Sequence, residues 1–242
     1  MRDYKSETKK RVDFIQNILQ ESGAKGIVFG NSGGKDATLV GILCKFACEN
    51  TLGLLLPCGS TQNYNADMSD ALAVSAQYGV DARKIDLKAV SYAMKLTLAE
   101  TSIITESALA NIAPRLRMTA LYAVAASEGR LVAGTGNRSE RYMGYFTKWG
   151  DGAFDFNPIA DLTVTEIYEF LKHLGAPESI IDKAPSAGLY DGQTDEGEMG
   201  VSYKSIDMYL IDGYCPSGDL EIISKYHRIS EHKRNTPAIY GE

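Results

Sequence analysis

"GIVFGNSGGKDATLVGILCKF", residues 26–46, carries the fold in a single turn of chain. A β-type apolar run, Gly26 to Gly30, breaks into Asn31-Ser32-Gly33-Gly34-Lys35-Asp36, and a helical apolar pattern opens near Ala37. A strand, a glycine turn and a helix N-terminus together make an anion cradle. Adjacent glycines let successive backbone N–H groups converge, and the helix adds its positive end. Ser32 supplies a further hydroxyl. Asp36 would repel a bare phosphate, but it fits a site where Mg²⁺ bridges carboxylate and phosphate oxygens. The loop is not a Walker motif, which needs GxxxxGK followed by Ser or Thr. Lys35, at the loop's free position, is expected to point into solvent.

Outward from this turn, probable strands lie at 25–30, 52–57, 83–87 and 130–134. Probable helices lie at 4–21, 37–49, 66–78, 88–99, 107–127 and 163–174, with a final pair near 203–212 and 218–231. The alternation predicts an α/β protein with a doubly wound, mostly parallel sheet and helices on both faces. Right-handed crossovers would put every strand-to-helix turn on one sheet edge. No repeat or Pro/Gly/Ser-rich linker divides the chain, so a single domain over 1–242 is expected. Within it the Gly- and acid-rich stretch 183–202 reads as a mobile segment, and 231–242 as a tail.

The net charge of −6 argues against a nucleic-acid partner. The longest apolar runs fall far short of the ~20 residues that span a bilayer, and the charged, amphipathic N-terminus lacks a signal-peptide core. A cytoplasmic protein without membrane contact is the expectation. Cys44, Cys48, Cys58 and Cys215 form no CxxC pair and read as buried free thiols.

Three further stretches carry chemistry. In "LVAGTGNRSERYMGYFTKWGDGAFDFNPIADLT", residues 131–163, a strand ends at Ala133-Gly134 on the sheet edge that holds Asp36. Glu140 can therefore ligate the same metal, while Lys148 and Asp151 flank a glycine-rich loop. In "NIAPRLRM", Arg115 and Arg117 open an apolar helix where the dipole prefers anions, which suggests an external anionic partner. The basic run Glu231-His232-Lys233-Arg234 follows a helix, where cations suit the dipole, and reads first as a solvated tail.

The loop "SGGKD" resembles the SGGxDS loop of the N-type ATP pyrophosphatases, and alone it does not choose among them. "GTGNRSERYMGYFTKWGDGAFDFNPIADLT" resembles the NAD synthetase block. "NIAPRLRM", "LGAPESIIDKAPSAGL", "GQTDEGEMGVSY" and "EHKR" follow in that family's order, so the resemblance spans nearly the whole chain. It implies a Rossmann-like fold of the adenine nucleotide alpha hydrolase type and a homodimeric, ammonia-dependent ligase. The reaction implied is adenylation of the carboxylate of nicotinic acid adenine dinucleotide by ATP, then displacement of AMP by ammonia. Ser32, Gly33 and Gly34 would bind the pyrophosphate of ATP, and Asp36 and Glu140 would hold Mg²⁺. Thr135 and Arg115 would face ATP, and Lys148 and Ser186 would reach phosphates. Asp151 would lie by the reacting carboxylate and ammonia as orienting group or proton acceptor. Asp195, Glu198, His232 and Lys233 would contribute to substrate binding.

Two positions depart from the family's pattern. Ala37 replaces the loop's last hydroxyl, and Thr38, one residue on, turns about 100° away around the helix. Val164 stands where many members carry a phosphate-binding lysine. The sequence contains no recognisable glutamine-hydrolysing machinery, so free ammonia is the expected nitrogen donor. The alternatives are a homologue with weakened or lost chemistry and a tRNA-thiolating enzyme. The acidic balance and missing CxxC weigh against the latter.

Overall fold

The computed structural model describes residues 2–59, 64, 66–100, 103–183 and 194–241. Helix α1 (Tyr4–Ser22) precedes β1 (Gly26–Gly30), α2 (Lys35–Ala47), β2 (Thr51–Leu55), α3 (Ala66–Tyr78), β3 (Asp81–Lys84) and α4 (Lys88–Ala99). Then come α5 (Glu106–Ala110), α6 (Ile112–Glu128), β4 (Arg130–Ala133) and α7 (Arg138–Met143). The C-terminal part is helical: α8 (Val164–Leu174), α9 (Glu178–Ile181), α10 (Asp195–Met199), α11 (Tyr203–Asp212), α12 (Ser217–Ile229) and α13 (Glu231–Arg234). The four strands are parallel in the order β3-β2-β1-β4. The chain thus winds outward on one side of β1 and then crosses to its other side. That reversal opens a crevice between the carboxyl ends of β1 and β4, where doubly wound sheets take their ligands.

Strand alternation sorts the core. Ile27 and Phe29 point into one apolar cluster with α1, α2 and α8, while Val28 points into another with Leu121 and Ala125 of α6. A third cluster joins Met143, Val164, Met199, Tyr203, Ile206 and Ile223 among the C-terminal helices. Phe29 is 1% exposed, and its ring lies 2.6 Å from where a Cβ on Gly41 would stand and 3.2 Å from one on Gly53. The two glycines let α2 and β2 close on that ring, which fixes the N-terminus of α2 beneath the glycine turn.

Several boundaries differ from those expected. The predicted helix 107–127 is two helices, because Pro114 has no N–H to give the carbonyl of Ala110 and continue the ladder. The third strand, at 81–84, starts two residues and ends three residues earlier than predicted, with hydrogen bonds from Ile85 and Leu87 to β2 and the segment after it prolonging the pairing. Helix α7 was not foreseen, although "NRSE" is a capping box: Asn137 caps Glu140, and Glu140 returns the bond to the Asn137 N–H. The "EHKR" run forms a short helix instead of a solvated tail. Of the four cysteines, Cys44, Cys58 and Cys215 are buried, Cys48 is half-buried, and all are free.

Phe29→Ala is expected to lower folding stability by about 3–5 kcal/mol through cavity formation between β1, β2 and α2. Urea unfolding measures it, and a loss below 1 kcal/mol would show that the ring does not set this packing.

Candidate active site

A cavity of about 1100 Å³ opens at the carboxyl edge of the sheet. Its walls come from the turns after β1, β2 and β4, from α6 and from the C-terminal helices, so residues from Gly30 to Lys233 meet around it. Gly33 is the one residue of the glycine turn in the left-handed region, at φ 71°. A Cβ there would stand 2.2 Å from the Asp67 carbonyl oxygen of α3, so only glycine allows this close approach. Gly34 is the N-cap of α2, and its N–H is accepted by the Ser32 hydroxyl at 3.3 Å.

The cradle's carboxylate is part of a buried cluster. Asp36 Oδ1 accepts from Asn137 Nδ2 at 3.0 Å, and Asp36 Oδ2 accepts from Lys35 Nζ at 2.7 Å. Glu140 Oε1 stands 4.0 Å from the same ammonium, and Glu140 Oε2 accepts from the Asn137 N–H at 3.1 Å. The side chains of Lys35, Asp36 and Glu140 are 6%, 16% and 17% exposed, so the charges answer chiefly to one another. Burial, then the nearby Asp36 charge, pushes the Glu140 carboxyl well above its usual range, with Lys35 opposing. Burial works against the Lys35 charge, but Asp36 and then Glu140 outweigh it and hold its pKa above the ordinary lysine value. Lys35 also lies 5.6 Å from the ring centre of Tyr203, whose hydroxyl donates to Asp195 Oδ2 at 3.0 Å.

The solvent-facing position expected for Lys35 is therefore wrong. The first turn of α2 carries its side chain inward, where two carboxylates hold it. Asn137, which sequence reasoning also passed over, was legible as the cap of the NRSE box. Among the described residues no group of three or more His, Cys, Asp or Glu side chains converges as a metal site. Asp36 and Glu140 converge on one cation at the glycine turn, here the ammonium of Lys35, as Asp67 and Asp70 do on Lys183. Such a hard oxygen donor pair fits Mg²⁺ if phosphate and water supply the remaining ligands.

Asp151 lines the cavity and is exposed to it, although protein packs closely around its carboxyl. That burial raises its carboxyl above the ordinary value, against the Thr147 N–H, which donates to Asp151 Oδ1 at 3.0 Å. Lys233 lines the cavity and donates to the carbonyls of Gly144 and Phe146, each at 2.8 Å; burial lowers its pKa. Thr135 and Glu198 line the cavity as well, Glu198 accepting from the Tyr145 hydroxyl at 2.6 Å.

Other expected site residues lie elsewhere in this arrangement. Lys148 Nζ donates to the His232 carbonyl and sits over the exposed Trp149 ring, and neither Lys148 nor His232 lines the cavity. Trp149 itself has φ 65°, in the left-handed region that bulky side chains avoid. Arg115 is exposed and donates twice to the Lys148 carbonyl, at 3.3 Å. Arg117 is the cavity-lining arginine, donating to the Leu56 carbonyl at 3.1 Å, its charge disfavoured by burial. Helix periodicity separates the two: residues two apart point to different faces. Ser186 lies outside the described residues, and so does 184–193 of the segment read as mobile.

Ala37 lies at the cavity wall but is 3% exposed and packs in the apolar core, and the Thr38 hydroxyl is buried with no hydrogen-bond partner among the described residues. Thr38 thus makes no substitute for the missing serine. Val164 is 3% exposed and packs in the C-terminal apolar cluster.

A parallel sheet that reverses at β1, with a glycine cradle at that switch point, defines a nucleotide-binding α/β protein. The NAD synthase family model matches residues 7–237, and the chain belongs to that family. The NH(3)-dependent NAD(+) synthetase of Carboxydothermus hydrogenoformans is 43% identical over 98% of both chains. A solved structure described as NMN synthetase from Francisella tularensis superposes with TM-score 0.94 at 36% identity, covering 100% of both chains. An NH3-dependent NAD synthetase from Campylobacter jejuni, in complex with the nitrate ion, gives TM-score 0.80 at 32% identity, covering 99% of each.

Ala37→Ser should restore a cavity-facing hydroxyl and tighten ATP by about 1.5–3 kcal/mol, measurable by calorimetry. Thr38→Val, which removes an unpartnered buried hydroxyl, should leave ATP affinity unchanged and hold or raise the melting temperature. A Thr38→Val variant that loses ATP affinity would return Thr38 to the site.

Proposed function

We propose that the chain is an ammonia-dependent NAD synthetase, a C–N-forming ligase with ATP as co-substrate. The observation that carries the proposal is the joining of the glycine cradle to Asp36, Glu140 and Asp151 around one cavity, within a family whose curated relatives bear that name. A carboxylate accepts ammonia poorly until its oxygen becomes part of a good leaving group. The carboxylate oxygen of nicotinic acid adenine dinucleotide attacks the α-phosphorus of ATP, and the bond to pyrophosphate breaks. Ammonia then attacks the carbonyl carbon of the acyl adenylate, AMP departs and the nitrogen loses a proton.

The protein's tasks are positioning and charge. The glycine turn and the first N–H groups of α2 would be offered to the pyrophosphate, the Gly34 N–H exchanging its bond to the Ser32 hydroxyl for one to phosphate. Asp36 and Glu140 would hold Mg²⁺, which when bound offsets charge on the phosphates. Asp151 orients the nitrogen nucleophile and takes its proton, a task suited to a carboxyl raised toward the working pH. Lys233, tied to the loop before Asp151, brings a positive charge to the acceptor, and Asp195 and Glu198 border the same space. Lys148, held on the His232 carbonyl, would have to leave that bond to reach a phosphate.

The cavity's walls draw on residues from Gly30 to Lys233, which supports treating the chain as one catalytic unit. A homodimer is supported by Val90, Tyr92, Met94 and Leu96 on α4, all exposed apolar side chains. Among the described residues no helix is long and apolar enough to cross a membrane, in keeping with a cytoplasmic enzyme.

One observation favours a second acceptor. The NMN synthetase structure superposes more closely than the Campylobacter NAD synthetase, at 0.94 against 0.80. Nicotinic acid mononucleotide presents the same reacting carboxylate on a smaller body, so the chemistry is unchanged and only the far end of the pocket selects.

The purified protein with ATP, Mg²⁺ and ammonium should amidate the dinucleotide with release of AMP. No amide product from either acceptor would overturn the proposal, and the ratio of kcat/KM values ranks the two. Glutamine in place of ammonium should give no product. Asp151→Asn should lower kcat by about 10²–10⁴-fold. In the unaltered enzyme kcat should fall with decreasing pH as the Asp151 carboxylate protonates, at a pH above the ordinary aspartate value. An acid limb that persists unchanged in Asp151→Asn would assign it to another group.

A further inference from the structure

Lys35 is the buried cation of the cradle for which the reaction has no role. Its ammonium lies 2.7 Å from Asp36 Oδ2 and 4.0 Å from Glu140 Oε1, with the Tyr203 ring on a further side. Two carboxylates this deeply buried repel each other unless a cation lies beside both, because burial weakens the solvent that would otherwise screen them. Lysine suits such a place: its charge is compact, and the four-carbon stem lets it leave without moving the backbone. A divalent ion bound directly to both carboxylates needs oxygens at roughly 2.0–2.1 Å. The ammonium already occupies the approach to both.

We propose that Lys35 is a tethered counter-cation, standing in for the divalent metal between Asp36 and Glu140 and withdrawing when the metal loads. The proposal rests on Asp36 and Glu140 being the metal pair. Two consequences follow from the charges alone. The metal-free cradle stays paired and folded because Lys35 offsets part of the charge of the two carboxylates. The metal then binds more weakly than two buried carboxylates would otherwise allow, because it must displace one cation and tolerate its charge nearby. Loading is favoured when the metal arrives on nucleotide phosphates, whose negative charge gives the displaced ammonium a new partner along the same cavity wall, where Ser32, Gly34 and Lys35 stand together.

The test uses Mn²⁺ alone, its free concentration followed by electron paramagnetic resonance, with no substrate and no activity readout. Lys35→Met and Lys35→Gln should bind Mn²⁺ about tenfold or more tightly than the unaltered protein. Lys35→Arg, which keeps the charge, should gain nothing. The neutral variants should melt at lower temperature without metal and gain more from added Mn²⁺ than the unaltered protein does. A merely structural lysine would give the opposite sign, weaker metal binding on removal. Equal or weaker Mn²⁺ affinity in both neutral variants overturns the proposal. Adding Asp36→Asn to Lys35→Gln should abolish the gain. If instead the double variant binds as tightly as Lys35→Gln, or no protein binds Mn²⁺ at millimolar concentration, the assignment of the metal pair fails along with it.

Discussion

Two carboxylates from distant parts of the chain, Asp36 after β1 and Glu140 after β4, are buried beside one ammonium, and the catalytic edge of the molecule is arranged around that fact. Like charges in a low-dielectric setting hold together only when a cation and directed N–H donors accompany them. Here Lys35 supplies the cation and Asn137 the donors, its side-chain amide to Asp36 and its backbone N–H to Glu140. One residue thus caps a helix, orients a carboxylate and joins the two halves of the crevice.

That joining depends on topology. In the order β3-β2-β1-β4 the first and last strands are neighbours, so turns distant in sequence leave the sheet side by side. The glycine turn can approach α3 within van der Waals reach because Gly33 has no Cβ, and α2 is held at the right depth because Phe29 fills the space that Gly41 and Gly53 leave. Rigid packing under the cradle matters for a reaction whose chief demand is alignment of a carboxylate, a phosphorus and ammonia. The C-terminal helices complete the cavity from the other side, with Tyr203 and Asp195 meeting the ammonium cluster and Lys233 meeting the loop before Asp151.

Much of this was legible in the residues. The strand, glycine turn and helix at 26–46 specified a parallel α/β sheet with a phosphate-type cradle, because β-period and helix-period patterns on either side of Gly-Gly leave few other solutions. Topology could place Asp36 and Glu140 at one edge, the loop sequence pointed to Asp151 and the family resemblance to Thr135, and the cavity is lined by all four. Less legible were the directions of side chains. Arg115 and Arg117 look alike in sequence, yet only Arg117 turns into the cavity. Lys148 reads as a phosphate ligand, yet it spans to a carbonyl of the tail.

The sequence by itself determined the fold class, the family and the residue types at the site, since these depend on local periodicity, glycine placement and ordered motifs. Only the tertiary structure decided the fate of the loop's variable positions. Lys35 goes inward because two carboxylates, one of them from over a hundred residues away, outweigh the cost of burying its charge. Ala37 borders the cavity from within the apolar core while the Thr38 hydroxyl is buried without a partner, because a helix start rotates consecutive side chains by about 100° and the packing of α2 fixes which face is which.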